Sequence, residues 1–180
     1  MLKITVPANE WYDEKEERFY TVKEQTLQLE HSLVSLSKWE SKWCKVFLNK
    51  QEKTNEETLD YIKCMTLTQN VKPEVYLALT PSNIKQIQEY IEAPMTATYF
   101  SNTQSGPQSR EQITSELIYY WMIALNIPFE CQKWHLNRLL TLVRVCNIKN
   151  QPPKKMGQKA LMSRNAALNA ARRKQLNTTG

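Results

Sequence analysis

The spacing of apolar residues changes at Ser32, and that change divides the chain into a short β region and a long helical one. Before it, the pattern alternates. Leu2-Lys3-Ile4-Thr5-Val6 alternates until Pro7, Arg18-Phe19-Tyr20-Thr21-Val22 is aromatic and β-branched, and Thr26-Leu27-Gln28-Leu29-Glu30 puts its leucines on one face. Trp11 to Glu17 reads as a charged connection. The prediction is a small antiparallel sheet, marginal alone and in need of helices to pack on. After Ser32, Leu33, Leu36, Trp39 and Trp43 recur at helical spacing, predicting a helix to about Phe47.

The helical region carries its own punctuation. Thr54 with Glu57 makes a capping box, followed by Leu59, Ile62 and Met65 on an inward face. Pro73 suits the first turn of a short helix to Leu79, and Thr80-Pro81 opens another that turns Ile84, Ile87 and Ile91 inward and stops before Pro94. Residues 101–109 form the clearest loop, and Ser109 with Gln112 is a further capping-box candidate. Helices are predicted over 110–125 (Ile113, Leu117, Ile118, Tyr120, Trp121, Ile123, Ala124) and over 129–147, the longest, opened by Pro128. Both are apolar around much of their circumference and read as the central pair of the core. The expected fold is mainly α, bundle-like, with a small N-terminal antiparallel β element and a basic C-terminal arm. The expected division is 1–31, 32–150 and 151–180.

Composition excludes several classes. Only 3 glycines occur in 180 residues, too few for a phosphate-cradling loop or a dinucleotide fingerprint. No apolar run approaches the roughly 20 residues that span a bilayer, and the N-terminus lacks a signal-peptide core. The expectation is an intracellular protein with reduced cysteines at Cys44, Cys64, Cys131 and Cys146.

Candidate chemistry is thin. Cys131 and His135 fall four apart on the predicted 129–147 helix, but a tetrahedral zinc site needs two further ligands, so a core cysteine beside a hydrogen-bonded histidine is preferred. Cys44, Cys64 and His31 lack any nucleophile signature. The carboxylates at Glu14, Glu16, Glu17, Glu56, Glu57 and Asp60 read as loop and helix-start residues. Trp39 and Trp43 align with Leu36, favouring core packing over base stacking, with Lys38, Lys42 and Lys45 flanking the opposite face. No catalytic residue, metal site or cofactor is expected.

The charge asymmetry is stronger. Residues 1–130 carry 13 Lys/Arg against 18 Asp/Glu, whereas residues 131–180 carry 11 Lys/Arg and no carboxylate side chain. Residues 131–150 belong to a core helix, which leaves about 152–180 as a free basic arm. Its alanines and arginines favour a conditional helix, ordered on a partner. Lys154, Lys155, Arg164, Arg172, Arg173 and Lys174, with Lys159, supply its charge, and Leu161, Leu168 and Leu176 recur near heptad spacing. Those leucines favour docking on an acidic protein surface over binding DNA or RNA. The candidate partner-binding residues are Lys154, Lys155, Leu161, Arg164, Leu168, Arg172, Arg173 and Lys174.

Five segments carry a resemblance. They are 29–40 (Leu29-Glu30-His31-Ser32 to Trp39-Glu40), Pro94-Met95-Thr96-Ala97-Thr98, Tyr119-Tyr120-Trp121-Met122 to Ile127-Pro128, Trp134-His135-Leu136-Asn137-Arg138 to Leu142, and Asn165-Ala166-Ala167-Leu168-Asn169-Ala170-Ala171-Arg172. Together, over most of the chain, they resemble proteins of the structural gene cluster of tailed bacteriophages, and among them the tail assembly chaperones. The resemblance implies a largely helical, non-enzymatic protein of the host cytoplasm that binds the tape-measure protein and helps tail-tube subunits polymerise around it. It implies no residue roles. The alternatives are a virion component, such as a head–tail joining or tail-completion protein, and a nucleic-acid-binding protein using the basic tail. A homo-oligomer fits the chaperone reading, and a membrane partner does not.

Overall fold

The computed structural model describes residues 1–14, 17–49, 51–100, 112–151 and 157–177. These residues are mainly helical, with small antiparallel β elements at the N-terminus. The chain divides into two compact units, Met1–Ile148 and Lys149–Gly180.

In the first unit, β1 (Leu2–Val6) pairs antiparallel with β4 (Gln25–Leu29), with Ile4 opposite Leu27. The alternation read from sequence is realised: Ile4, Val6, Leu27 and Leu29 are buried while the residues between them stay exposed. Between these strands, β2 (Asn9–Asp13) pairs with β3 (Arg18–Val22). The segment expected as a charged connection therefore contributes a strand. Trp11 stacks on Tyr20 at 5.5 Å and Tyr12 meets Phe19 at 4.8 Å between ring centroids, so cross-strand aromatic pairs hold a hairpin whose charges disguised it.

Helix α1 (Leu33–Trp43) starts on a Ser32–Ser35 capping box and stops at Cys44, whose φ of 51° is left-handed, short of the expected end near Phe47. Phe47 instead folds back against Trp39 and Tyr61 at 5.1 and 3.9 Å. Helix α2 (Asn55–Met65) begins on the expected capping box: the Glu57 amide donates to Thr54 Oγ1 at 3.2 Å and the Thr54 amide donates to Glu57 Oε2 at 2.9 Å. Helices α3 (Pro73–Leu77) and α4 (Pro81–Glu92) follow, each with proline in its first turn.

Two expectations about the following helices are corrected. Helix α5 (Ser115–Ala124) is capped by Thr114, and Ser109 lies outside the described residues, as does the loop at 101–109. The predicted helix at 129–147 is two elements, a 3-10 helix (Phe129–Lys133) and α6 (Leu136–Asn150). The break has a cause. His31 O accepts the Leu136 amide at 2.7 Å and Ser32 bridges to His135, which pulls the chain into extended form at Trp134. The longest helix among those described is α7 (Gln158–Leu176), in the second unit.

The core is centred on β1, β4, α1 and α2, where Leu27, Leu29, Leu33, Leu36 and Met65 are fully shielded. Each such side chain contributes roughly 1.5–3 kcal/mol by leaving water. Helices α5 and α6 add one face each rather than forming a central pair. In α5 the buried apolar residues are Ile118 and Met122, while Tyr120 and Ile123 face outward.

Candidate partner-docking surfaces

Most chemistry-bearing residues outside the arm are absorbed by the fold. Trp39 Nε1 donates to the Glu57 carbonyl at 2.9 Å, and Trp43 Nε1 donates to Asp60 Oδ2 at 2.9 Å. Both tryptophans are therefore packing residues. Lys42 and Lys45 do not flank a free face: Lys42 pairs with Asp60 and Lys45 with Glu57, because α2 presents its acidic first turns to α1. Burial would raise the Asp60 carboxyl, but hydrogen bonds from Lys42 and Trp43 hold it below its usual range. The hydrogen bond from Lys45, aided by the Thr54 amide, lowers Glu57.

The buried carboxylate of Glu40 joins three elements. Its Oε1 accepts the Phe47 amide at 2.9 Å and its Oε2 accepts the Ser115 amide at 2.7 Å. Glu40 thus fixes the loop after α1 and the first turn of α5, where a negative charge complements the helix dipole.

His31 and His135 meet edge-on at 5.1 Å between ring centroids. His135 Nε2 donates to the Tyr90 carbonyl at 2.9 Å and its Nδ1 accepts the Asn137 amide at 3.3 Å, an arrangement that requires the neutral ring. His31 Nδ1 lies 2.6 Å from the Tyr61 hydroxyl. Burial, and then the neighbouring His135, pushes His31 down to about 3. Cys131 sits in the 3-10 helix and His135 beyond its end, so the two do not share a helix face as the sequence suggested. Among the described residues no group of three or more His, Cys, Asp or Glu side chains is placed to hold a metal ion. Burial raises the Cys64 and Cys131 thiols above their ordinary value.

Two surfaces among the described residues stand out as docking candidates. The first is α7, which presents Leu161, Arg164, Leu168, Arg172, Arg173 and Lys174, all exposed. Lys154 and Lys155 lie outside the described residues. At about 3.6 residues per turn, Leu161, Leu168 and Arg172 fall on one stripe with Leu176 at its edge, while Lys159 and Lys174 fall on the opposite side. Leu161 is 46% and Leu168 47% exposed.

The second surface is the outer face of the β2–β3 hairpin, which sequence reasoning missed. Trp11, Tyr20 and Val22 share the face that turns toward the body, where Val22 is buried. Glu10, Tyr12, Phe19 and Thr21 share the other, and all four are exposed, Phe19 at 76%. The signal was present as paired aromatics across a charged turn, but only strand register reveals which of them coincide. A cleft of about 380 Å³ runs along β3 to residues 70–75, but Arg18, Lys23 and Lys72 alternate there with Glu24 and Glu74, so it selects no charge class.

Among the described residues, no helix is long and apolar enough to cross a membrane. Comparison with known proteins finds no matching family model, no matching curated relative and no matching solved structure.

Proposed function

We propose that this chain is a non-enzymatic adaptor acting as a tail assembly chaperone of a tailed bacteriophage, one that binds the tape-measure and tail-tube proteins in the host cytoplasm during tail morphogenesis. The phage assignment rests on the resemblance of the five sequence segments above. The adaptor assignment rests on α7, a 19-residue helix with five cationic side chains, no carboxylate and an exposed leucine stripe. A helix that is already wound forfeits less entropy on docking than a coil would. Its charge steers encounter with an acidic protein surface, and Leu161 and Leu168 anchor the contact.

Nucleic-acid binding by charge alone would not use the leucines, and cations on opposite sides of α7 do not form the one-sided stripe that tracks a phosphate backbone. Co-expression with the tape-measure protein tests the proposal. The two are expected to co-purify, and mass spectrometry of finished virions is expected to find the chain absent. Stoichiometric recovery in virions would replace the chaperone with a structural component.

A further inference from the structure

We propose that the outer face of the β2–β3 hairpin is the docking surface for α7 of a second copy of this chain. This rests on the reading of α7 as a protein-docking arm, and it names the surface on which the arm docks.

Charge selects the class of partner. Glu10 lies on the Tyr12–Phe19 face, and among the described residues of the turn Glu14 and Glu17 add negative charge beside it. Nucleic acid and anionic lipid are repelled by such a surface, whereas a cationic peptide is attracted. The exposed aromatic pair refines the choice. Tyr12 and Phe19 lie 4.8 Å apart at 50° to one another, with Glu10 and Thr21 on the same face. Ring faces beside a carboxylate suit a guanidinium flanked by apolar side chains, since the cation can lie on a ring while the carboxylate accepts its N–H groups.

Helix α7 carries that pattern. Arg172 lies on the stripe of Leu168, with Leu176 beside it; Arg173 and Lys174 add positive charge to the same helical turn, Lys174 on the opposite side. Dimensions match as well. A five-residue strand is about 17 Å long and a 19-residue helix about 28 Å, so α7 can lie across both hairpin strands with length to spare.

An arm of one copy on the hairpin of the next is a head-to-tail contact, which repeats into rings or filaments rather than closing as a two-fold dimer.

Sedimentation velocity of the full chain over a concentration series tests this. Association is expected at low salt and should weaken at least tenfold as salt rises to about 0.5 M, where screening is nearly complete. Two full-length variants are decisive: Tyr12→Ser/Phe19→Ser on the hairpin, and Arg172→Glu/Arg173→Glu/Lys174→Glu on the arm. Each alone is expected to be monomeric. Mixed, they should form a 1:1 pair that does not grow, because one supplies an intact arm and the other an intact hairpin. Glu10→Lys, which leaves the aromatic pairs in place, should weaken association in the same direction. A hairpin variant that associates like the unaltered chain would overturn the inference while sparing the arm reading. So would a mixture that fails to pair, or a full chain that stays monomeric throughout. An arm variant that associates undiminished would overturn the inference as well, while the arm reading stands or falls on the same variant's binding to the tape-measure protein.

Discussion

The Oε2 of Glu40 accepts a hydrogen bond from the Ser115 amide at 2.7 Å, across 75 residues of sequence. A buried carboxylate on α1 thereby supplies the N-terminus of α5 with the acceptor its first turn requires. Its other oxygen holds Phe47. Glu40→Ala would leave both amides buried without that acceptor. Unpaired buried groups cost about 1–3 kcal/mol each, so a loss of roughly 2–4 kcal/mol is expected in urea unfolding. Glu40→Gln keeps one acceptor oxygen and should lose less than half as much.

The Thr54–Glu57 capping box gives a second, smaller test. Thr54→Ala removes the acceptor for the Glu57 amide and should cost about 1 kcal/mol. Glu57→Gln retains the side-chain reach but loses the ion pair with Lys45. If both variants melt with the unaltered chain, α2 does not depend on its cap.

Acid should destabilise the body through its buried histidines. His31 is pushed to about 3 in the folded state from an ordinary value of 6.5. Below pH 6.5 the unfolded chain therefore binds a proton that the folded chain refuses, and stability falls as pH falls. The slope approaches about 1.4 kcal/mol per pH unit for one such group. His135 is lowered by burial as well, and adds to the slope. The groups around the pair are Tyr61, Tyr90 and Glu30, whose carboxylate accepts the Tyr90 hydroxyl at 2.7 Å. Urea midpoints measured from pH 7 to pH 5 follow the histidines, and Glu57 and Asp60, both held below their usual range, stay ionised there. His31→Gln should flatten the profile, and an unchanged slope would contradict this assignment.

Local signals were legible where sequence neighbours determine the outcome. The Thr54–Glu57 box, Pro73, Thr80-Pro81 and the alternation of β1 and β4 depend on residues a few positions apart, and each reads directly. What was not legible depends on residues far apart. Strand β2 was hidden because Trp11 and Tyr12 gain their strand character from Tyr20 and Phe19. Lys42 and Lys45 look like a solvated face until α2 brings Asp60 and Glu57 to them. The predicted helix at 129–147 breaks because the His31 carbonyl, more than a hundred residues away, captures the Leu136 amide. For the docking surfaces, charge asymmetry exposed α7 from composition alone. The hairpin face needed the register that pairs Tyr12 with Phe19.

The direct test of the adaptor claim is the affinity of the full chain for the tape-measure protein, with and without the cationic cluster of α7. The comparison is the unaltered chain against Arg172→Glu/Arg173→Glu/Lys174→Glu, measured by titration calorimetry at about 0.1 M and about 0.3 M salt, a range over which screening grows. The expected result is binding by the unaltered chain that weakens with salt, and at least tenfold weaker binding by the variant at the lower salt. Equal affinity for the two chains, independent of salt, would contradict the account.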